Sequence, residues 1–190
     1  MRLKSILSIG CLAALLATPA FAGVFIVSMV CTDCDGDTGQ FGVTITNNDG
    51  FDLNKVTFDL TATSPAVIFD QLLSQTNPPG GTATLFGNLG DSTFGFTFTG
   101  FNNGESFSFV WDSDLSGTTD DAVLSDAANT KVTLDTPAGS VFGFMIYDPQ
   151  AQTLGVTIQS PSGAVPEPAT LALLGLGLAG LAAARRRRAA

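Results

Sequence analysis

Between residues 23 and 160 the bulky apolar side chains return at every second position, and that rhythm confines the segment to β structure. Phe94-x-Phe96-x-Phe98 and Phe107-x-Phe109-x-Trp111 are the clearest runs. Val43-x-Ile45, Val56-x-Phe58-x-Leu60, Val132-x-Leu134, Phe142-x-Phe144-x-Ile146 and Leu154-x-Val156-x-Ile158 repeat the pattern. Each run puts bulky residues on one strand face and Thr, Ser, Gly or Asp on the other. Turn chemistry separates them: Asn47-Asn48-Asp49-Gly50, Asn77-Pro78-Pro79-Gly80-Gly81, Asn102-Asn103-Gly104 and Pro137-Ala138-Gly139. About ten short strands at this spacing predict an all-β, antiparallel two-sheet β-sandwich, jelly-roll or immunoglobulin-like, rather than an α/β fold. Fourteen of the 15 phenylalanines lie here, so the Phe ladders are read as core rather than as a binding platform. Only Asp120 to Asn129 hints at helix, and it is too short to stand alone.

Charge narrows the function. The 190 residues hold 8 Lys+Arg, 17 Asp+Glu and no histidine. The bases are clustered at the ends, so residues 23–164 carry 16 acids against Lys55 and Lys131, a net charge of −14. A nucleic-acid binder needs a basic footprint to displace counterions, so that class is excluded. Without histidine there is no Ser-His-Asp or Cys-His catalysis and none of the commonest zinc sites.

Residues 1–22, MRLKSILSIGCLAALLATPAFA, have a basic start, an apolar run from Ile6 to Ala17 and the small-x-small triplet Ala20-Phe21-Ala22. This is the layout of a signal peptide cut before Gly23 by signal peptidase. Cys11 admits a lipoprotein reading, but too few apolar residues precede it and Ser8 fits that signal poorly. Near the other end, residues 169–184 are uncharged and rich in Leu, Ala and Gly. As a helix they span roughly 24 Å, short of the ~30 Å hydrocarbon core. Arg185, Arg186, Arg187 and Arg188 close the difference by snorkelling, and hold the 185–190 tail on the cytoplasmic side. The preceding domain then faces outward.

Val165-Pro166-Glu167-Pro168, the short Leu/Ala/Gly run and the arginine cluster, in that order, resemble the PEP-CTERM sorting signal. The resemblance covers about the last 26 residues. It implies recognition and processing near Pro166-Glu167-Pro168 by exosortase, a multi-spanning membrane cysteine protease. It also implies a Gram-negative bacterium that makes exopolysaccharide, and a destination at the cell surface or in the extracellular matrix. The physics agrees: two prolines cannot continue a helix and hold the residue before each extended, so the 161–168 linker presents a strand-like segment at the membrane interface.

Three constellations remain. Cys31-Thr32-Asp33-Cys34 is a C-x-x-C motif, but it follows an apolar strand-like run rather than opening a helix, and nearby carboxylates raise a thiol pKa. A structural disulfide between Cys31 and Cys34 in an oxidising compartment is expected, not a redox site. Asp33, Asp35 and Asp37 alternate with small residues, and Asp112 and Asp114 form a second acidic cluster followed by Asp120, Asp121 and Asp126. Converging carboxylates suit Ca²⁺, although the EF-hand template fails, and a solvated acidic turn is the alternative. Asp37-Thr38-Gly39 spells the aspartic-protease triplet, but has no second copy and no preceding apolar strand, so it is read as chance.

These readings converge on an exported, non-enzymatic surface protein associated with exopolysaccharide, inserted in the membrane before processing. The alternative is a calcium-dependent carbohydrate-binding or adhesive module, for which an exposed Trp111 or Tyr147 would be the structural clue. A third, a hydrolase using paired carboxylates, has no marked pair to support it.

Overall fold

The computed structural model describes residues 23–33, 39–118 and 120–160. These form eleven strands: β1 (Val24–Asp33), β2 (Gln40–Asn48), β3 (Lys55–Asp59), β4 (Val67–Thr76), β5 (Thr82–Phe86), β6 (Thr93–Thr99), β7 (Ser106–Leu115), β8 (Lys131–Thr136), β9 (Gly139–Phe144), β10 (Ile146–Asp148) and β11 (Thr153–Gln159). They build a six-stranded sheet ordered β10-β11-β1-β2-β7-β4 and a five-stranded sheet ordered β5-β6-β3-β8-β9. Every pairing between strands is antiparallel. The Asp120–Asn129 stretch contains a single 3-10 turn, Leu124–Ala127.

The alternation sets the core. Phe25, Val27 and Met29 of β1, Phe41, Val43 and Ile45 of β2, and Phe107, Phe109 and Trp111 of β7 are buried on the inner face of the larger sheet. Val56 and Phe58 of β3, Phe94, Phe96 and Phe98 of β6, and Val132 and Leu134 of β8 answer from the smaller one. Rings meet across the gap: Phe96 lies 4.8 Å from Phe107, Phe94 lies 4.8 Å from Trp111, and Phe58 lies 5.6 Å from Phe109. The sandwich is thus an aromatic seam between β6 and β7, with aliphatic residues around it.

Within β6, Gly95 is required by packing. A Cβ there would stand 2.0 Å from the Val56 carbonyl oxygen, so any side chain would push β3 away at the point where the sheets are most tightly filled.

One ladder departs from expectation. Phe142, Phe144 and Ile146 share a face, as their spacing requires, but that face is outward, with 59%, 46% and 74% of each exposed. Val141 and Met145 pack inward instead. β9 and β10 are edge strands of their sheets, where the core needs less filling. The outward rings are covered locally: Phe142 meets Phe144 edge-to-face at 6.0 Å, and Lys131 Nζ lies 4.7 Å above the Phe142 ring.

Candidate functional site

The second acidic cluster is assembled by tertiary structure. Asp112 and Asp114 lie on the outer face of β7, on either side of the buried Ser113. On β4, Ile68 pairs with Asp114 and Gln71 with Asp112, and the register slips between Phe69 and Gln71. Asp70 sits in that bulge, and its charge acts on both β7 carboxyls. From the other side, Asp121 bridges to Asp114. The link is tightened by Ser113, whose backbone oxygen accepts from Ala122 N–H at 2.9 Å, and by Leu115 N–H donating to the Asp120 carbonyl at 2.9 Å. Asp70 could not be found from sequence, because nothing local marks a residue that reaches the cluster through a bulge on another strand.

Electrostatics here are unfavourable. Burial pushes the Asp112 carboxyl up, with Asp121 and Asp70 adding to it and the Ser113 N–H easing it. The Oδ1 atom of Asp112 is buried without a hydrogen-bond partner. Asp114 is also raised, first by burial, then by Asp70, Asp112 and Asp121, and by a hydrogen bond to Asp121 that needs the Asp114 proton. Among the described residues, no group of three or more Cys, Asp or Glu is arranged to hold a metal ion.

Asp114→Asn tests the repulsion. A carboxyl held above its ordinary value of 3.8 costs stability once it ionises, so the penalty is absent below that pH and grows as pH rises through the folded value. Asparagine removes the charge and still donates to Asp121. Urea unfolding should show Asp114→Asn more stable by roughly 0.5 kcal/mol at pH 7, the scale of one like-charge cross-strand contact, with the gain gone at pH 3.5.

The other sequence candidates fall as follows. Asp33 ends β1 and is exposed; it pairs with Gln40, which pairs in turn with Asp112. The two acidic segments therefore reach the same end of the larger sheet, with Asp33 two strands, or about 10 Å, from Asp112. Asp35, Asp37 and Cys34 lie outside the described residues. Cys31 is disulfide-bonded. Trp111 is fully buried and Tyr147 is partly buried against the core, so Trp111 offers no surface for stacking a sugar. A shallow groove of about 380 Å³ lies beside Ile26, Phe144, Ile146, Leu154 and Val156, and its lining holds no titratable side chain.

Among the described residues no helix is long and apolar enough to cross a membrane; the proposed signal peptide, the 161–168 linker, the 169–184 span and the arginines lie outside them. Residues 164–188 match the family model described as the PEP-CTERM protein-sorting motif. The chain carries a PEP-CTERM sorting motif. The match runs from just before Pro166, Glu167 and Pro168 to the last of the four arginines, Arg188. A PEP-CTERM protein is made as a membrane-anchored precursor, processed by exosortase, a membrane protease, and exported to the cell surface. No curated protein and no solved structure matches the chain.

Proposed function

We propose that this PEP-CTERM protein is a non-enzymatic surface or matrix component of a Gram-negative bacterium, and that its acidic sandwich is cargo for exopolysaccharide rather than a catalyst. The observation that carries the reading is the sorting motif at residues 164–188. A signal peptide over residues 1–22 delivers the chain, and residues 169–184 hold it as a transmembrane helix. Arg185 to Arg188 fix the tail inside, and Pro166-Glu167-Pro168 is the recognition element. Cys34 is the one cysteine besides Cys31 that survives removal of the leader, so the Cys31 disulfide closes on it across two residues.

The lack of histidine supports a non-catalytic role, since the common nucleophile–base pairs are unavailable. A net charge of −14 over residues 23–164 keeps the domain soluble and repels anionic glycans, which favours a neutral matrix or one bridged by divalent cations.

Intact mass of the protein from its own host tests this, compared with a strain lacking exosortase. The wild-type form should end near Pro168, whereas the deletion strain should retain the apolar run and the arginines. An unaltered end through Ala190 in both strains would reduce the protein to an ordinary tail-anchored one, and the matrix destination would be withdrawn.

A further inference from the structure

Asp49 is the one carboxylate in the described sandwich that is nearly sealed, at 5% exposed, and the polar group that reaches it is the neutral Ser160 side chain. It lies in the loop after β2, where its own N–H donates to the Asn47 side-chain oxygen at 3.0 Å. The Ser160 hydroxyl partly offsets a burial that pushes the Asp49 carboxyl up. A buried carboxylate without a cation is costly, and a cation brought against it offsets that cost.

What faces Asp49 is Gly23. A Cβ built on Gly23 would lie 2.3 Å from Asp49 Oδ1 and 2.2 Å from the Asp49 Cα and carbonyl oxygen. Allowing about 1.5 Å for the C–C bond, the Gly23 Cα itself sits within about 4 Å of Oδ1. Glycine is the one residue that fits, and it is held in place: Ser160 N–H donates to the Gly23 carbonyl at 3.2 Å, and the next residue, Val24, pairs with both Asn48 and Gln159. Gly23 is also the residue that follows the Ala20-Phe21-Ala22 triplet.

From this juxtaposition we infer that removal of the leader creates a cationic partner: the new α-ammonium of Gly23 pairs with the Asp49 carboxylate and locks the start of β1 into the sandwich. The inference rests on the proposed cut after Ala22. In that hydrolysis water adds across the Ala22–Gly23 peptide bond; Ala22 leaves as a carboxylate and Gly23 keeps the proton as –NH₃⁺. One amide proton, pinned by planarity, is replaced by three donors on a freely rotating nitrogen. Before the cut the domain carries a buried acid eased by the neutral Ser160 side chain; after it, an ion pair. Processing thereby stabilises the exported form relative to the precursor.

The mature chain makes the test simple, because it has only three amines: the Gly23 α-amine, Lys55 and Lys131. Protein purified from its host is labelled with cyanate across pH 6–10, folded and in urea, and read by peptide mass. Near pH 7.5 the folded α-amine should label at least about tenfold more slowly than in urea, with an apparent pKa above its ordinary value near 8. Burial alone would lower that pKa, so the direction separates an ion pair from simple shielding. Asp49→Asn should return the pKa to or below the ordinary value; should that variant not fold, the wild-type profile decides by itself. A folded α-amine that labels at the unfolded rate, or one with a lowered pKa, overturns the lock while leaving the leader reading intact. A first peptide that does not begin at Gly23 overturns the leader reading instead, and the lock with it.

Discussion

Phe94→Ala is expected to destabilise the sandwich by about 3–5 kcal/mol, a large share of the roughly 5–15 kcal/mol available to a domain. Phe94 is fully buried on β6, and its ring meets Phe69 at 4.5 Å, Trp111 at 4.8 Å, Phe58 at 5.2 Å and Phe109 at 6.2 Å. Three of these come from the opposite sheet. Truncation removes the buried area, opens a cavity that four rigid rings cannot collapse into, and dissolves several aromatic contacts worth about 0.5–1.5 kcal/mol each. The melting temperature should fall by about 10 °C or more. Phe142→Ala is the matched control: the same residue type in the same rhythm, but 59% exposed. Its contacts are Phe144 and the Lys131 cation, so the loss should stay below about 1 kcal/mol. Equal effects in urea unfolding would mean that the two sheets do not close on Phe94.

That contrast marks how far the sequence is legible. Period two says which residues share a face; it does not say which face is inward. For β2, β3, β6, β7 and β8 the bulky face is the inner one, because both neighbours in the sheet are present and the opposite sheet must be met. For β9, at an edge, the smaller set faces in, and β10, also at an edge, turns Tyr147 toward the core and Ile146 out. The sorting motif was fully legible because a protease and a bilayer read it as linear sequence, without any tertiary contact. The acidic cluster was half legible. Asp112 and Asp114 announce themselves by spacing, whereas Asp70 joins them only through a strand bulge. Asp49 gave no signal at all. In Asn47-Asn48-Asp49-Gly50 it reads as one more solvated turn acid, and only closure onto Gly23 and Ser160, distant in sequence, buries it.

The residue that anchors the Asp49 backbone is Asn47, and its loss should be the most damaging polar substitution in this loop region. Asn47 is fully buried. Its Nδ2 donates to the Phe51 carbonyl at 2.9 Å and the Phe101 carbonyl at 3.2 Å, while its Oδ1 accepts the Asp49 N–H. Its backbone is equally engaged, donating to Glu105 O at 3.0 Å and accepting from Gly104 N–H at 2.6 Å. One side chain thus ties the loop after β2 to the loop before β7. Asn47→Ala leaves the Asp49 N–H without its acceptor, while the Phe101 carbonyl keeps Leu53 N–H at 2.9 Å and the Phe51 carbonyl, on a residue 45% exposed, can turn to water. The expected cost is therefore about 2–4 kcal/mol, less than three independent orphaned groups would suggest. Asn47→Asp should be at least as damaging at neutral pH. It retains an acceptor for Asp49 N–H but loses both donors, and it sets a second buried negative charge beside Phe101 O and two residues from Asp49. Unlike Phe94→Ala, which acts on the middle of the sandwich, either Asn47 variant should also release the Gly23 α-amine to rapid cyanate labelling under conditions where the core remains folded. If Asn47→Ala unfolds with wild-type stability and labels no faster, the loop is not held by this side chain, and the burial of Asp49 needs another cause.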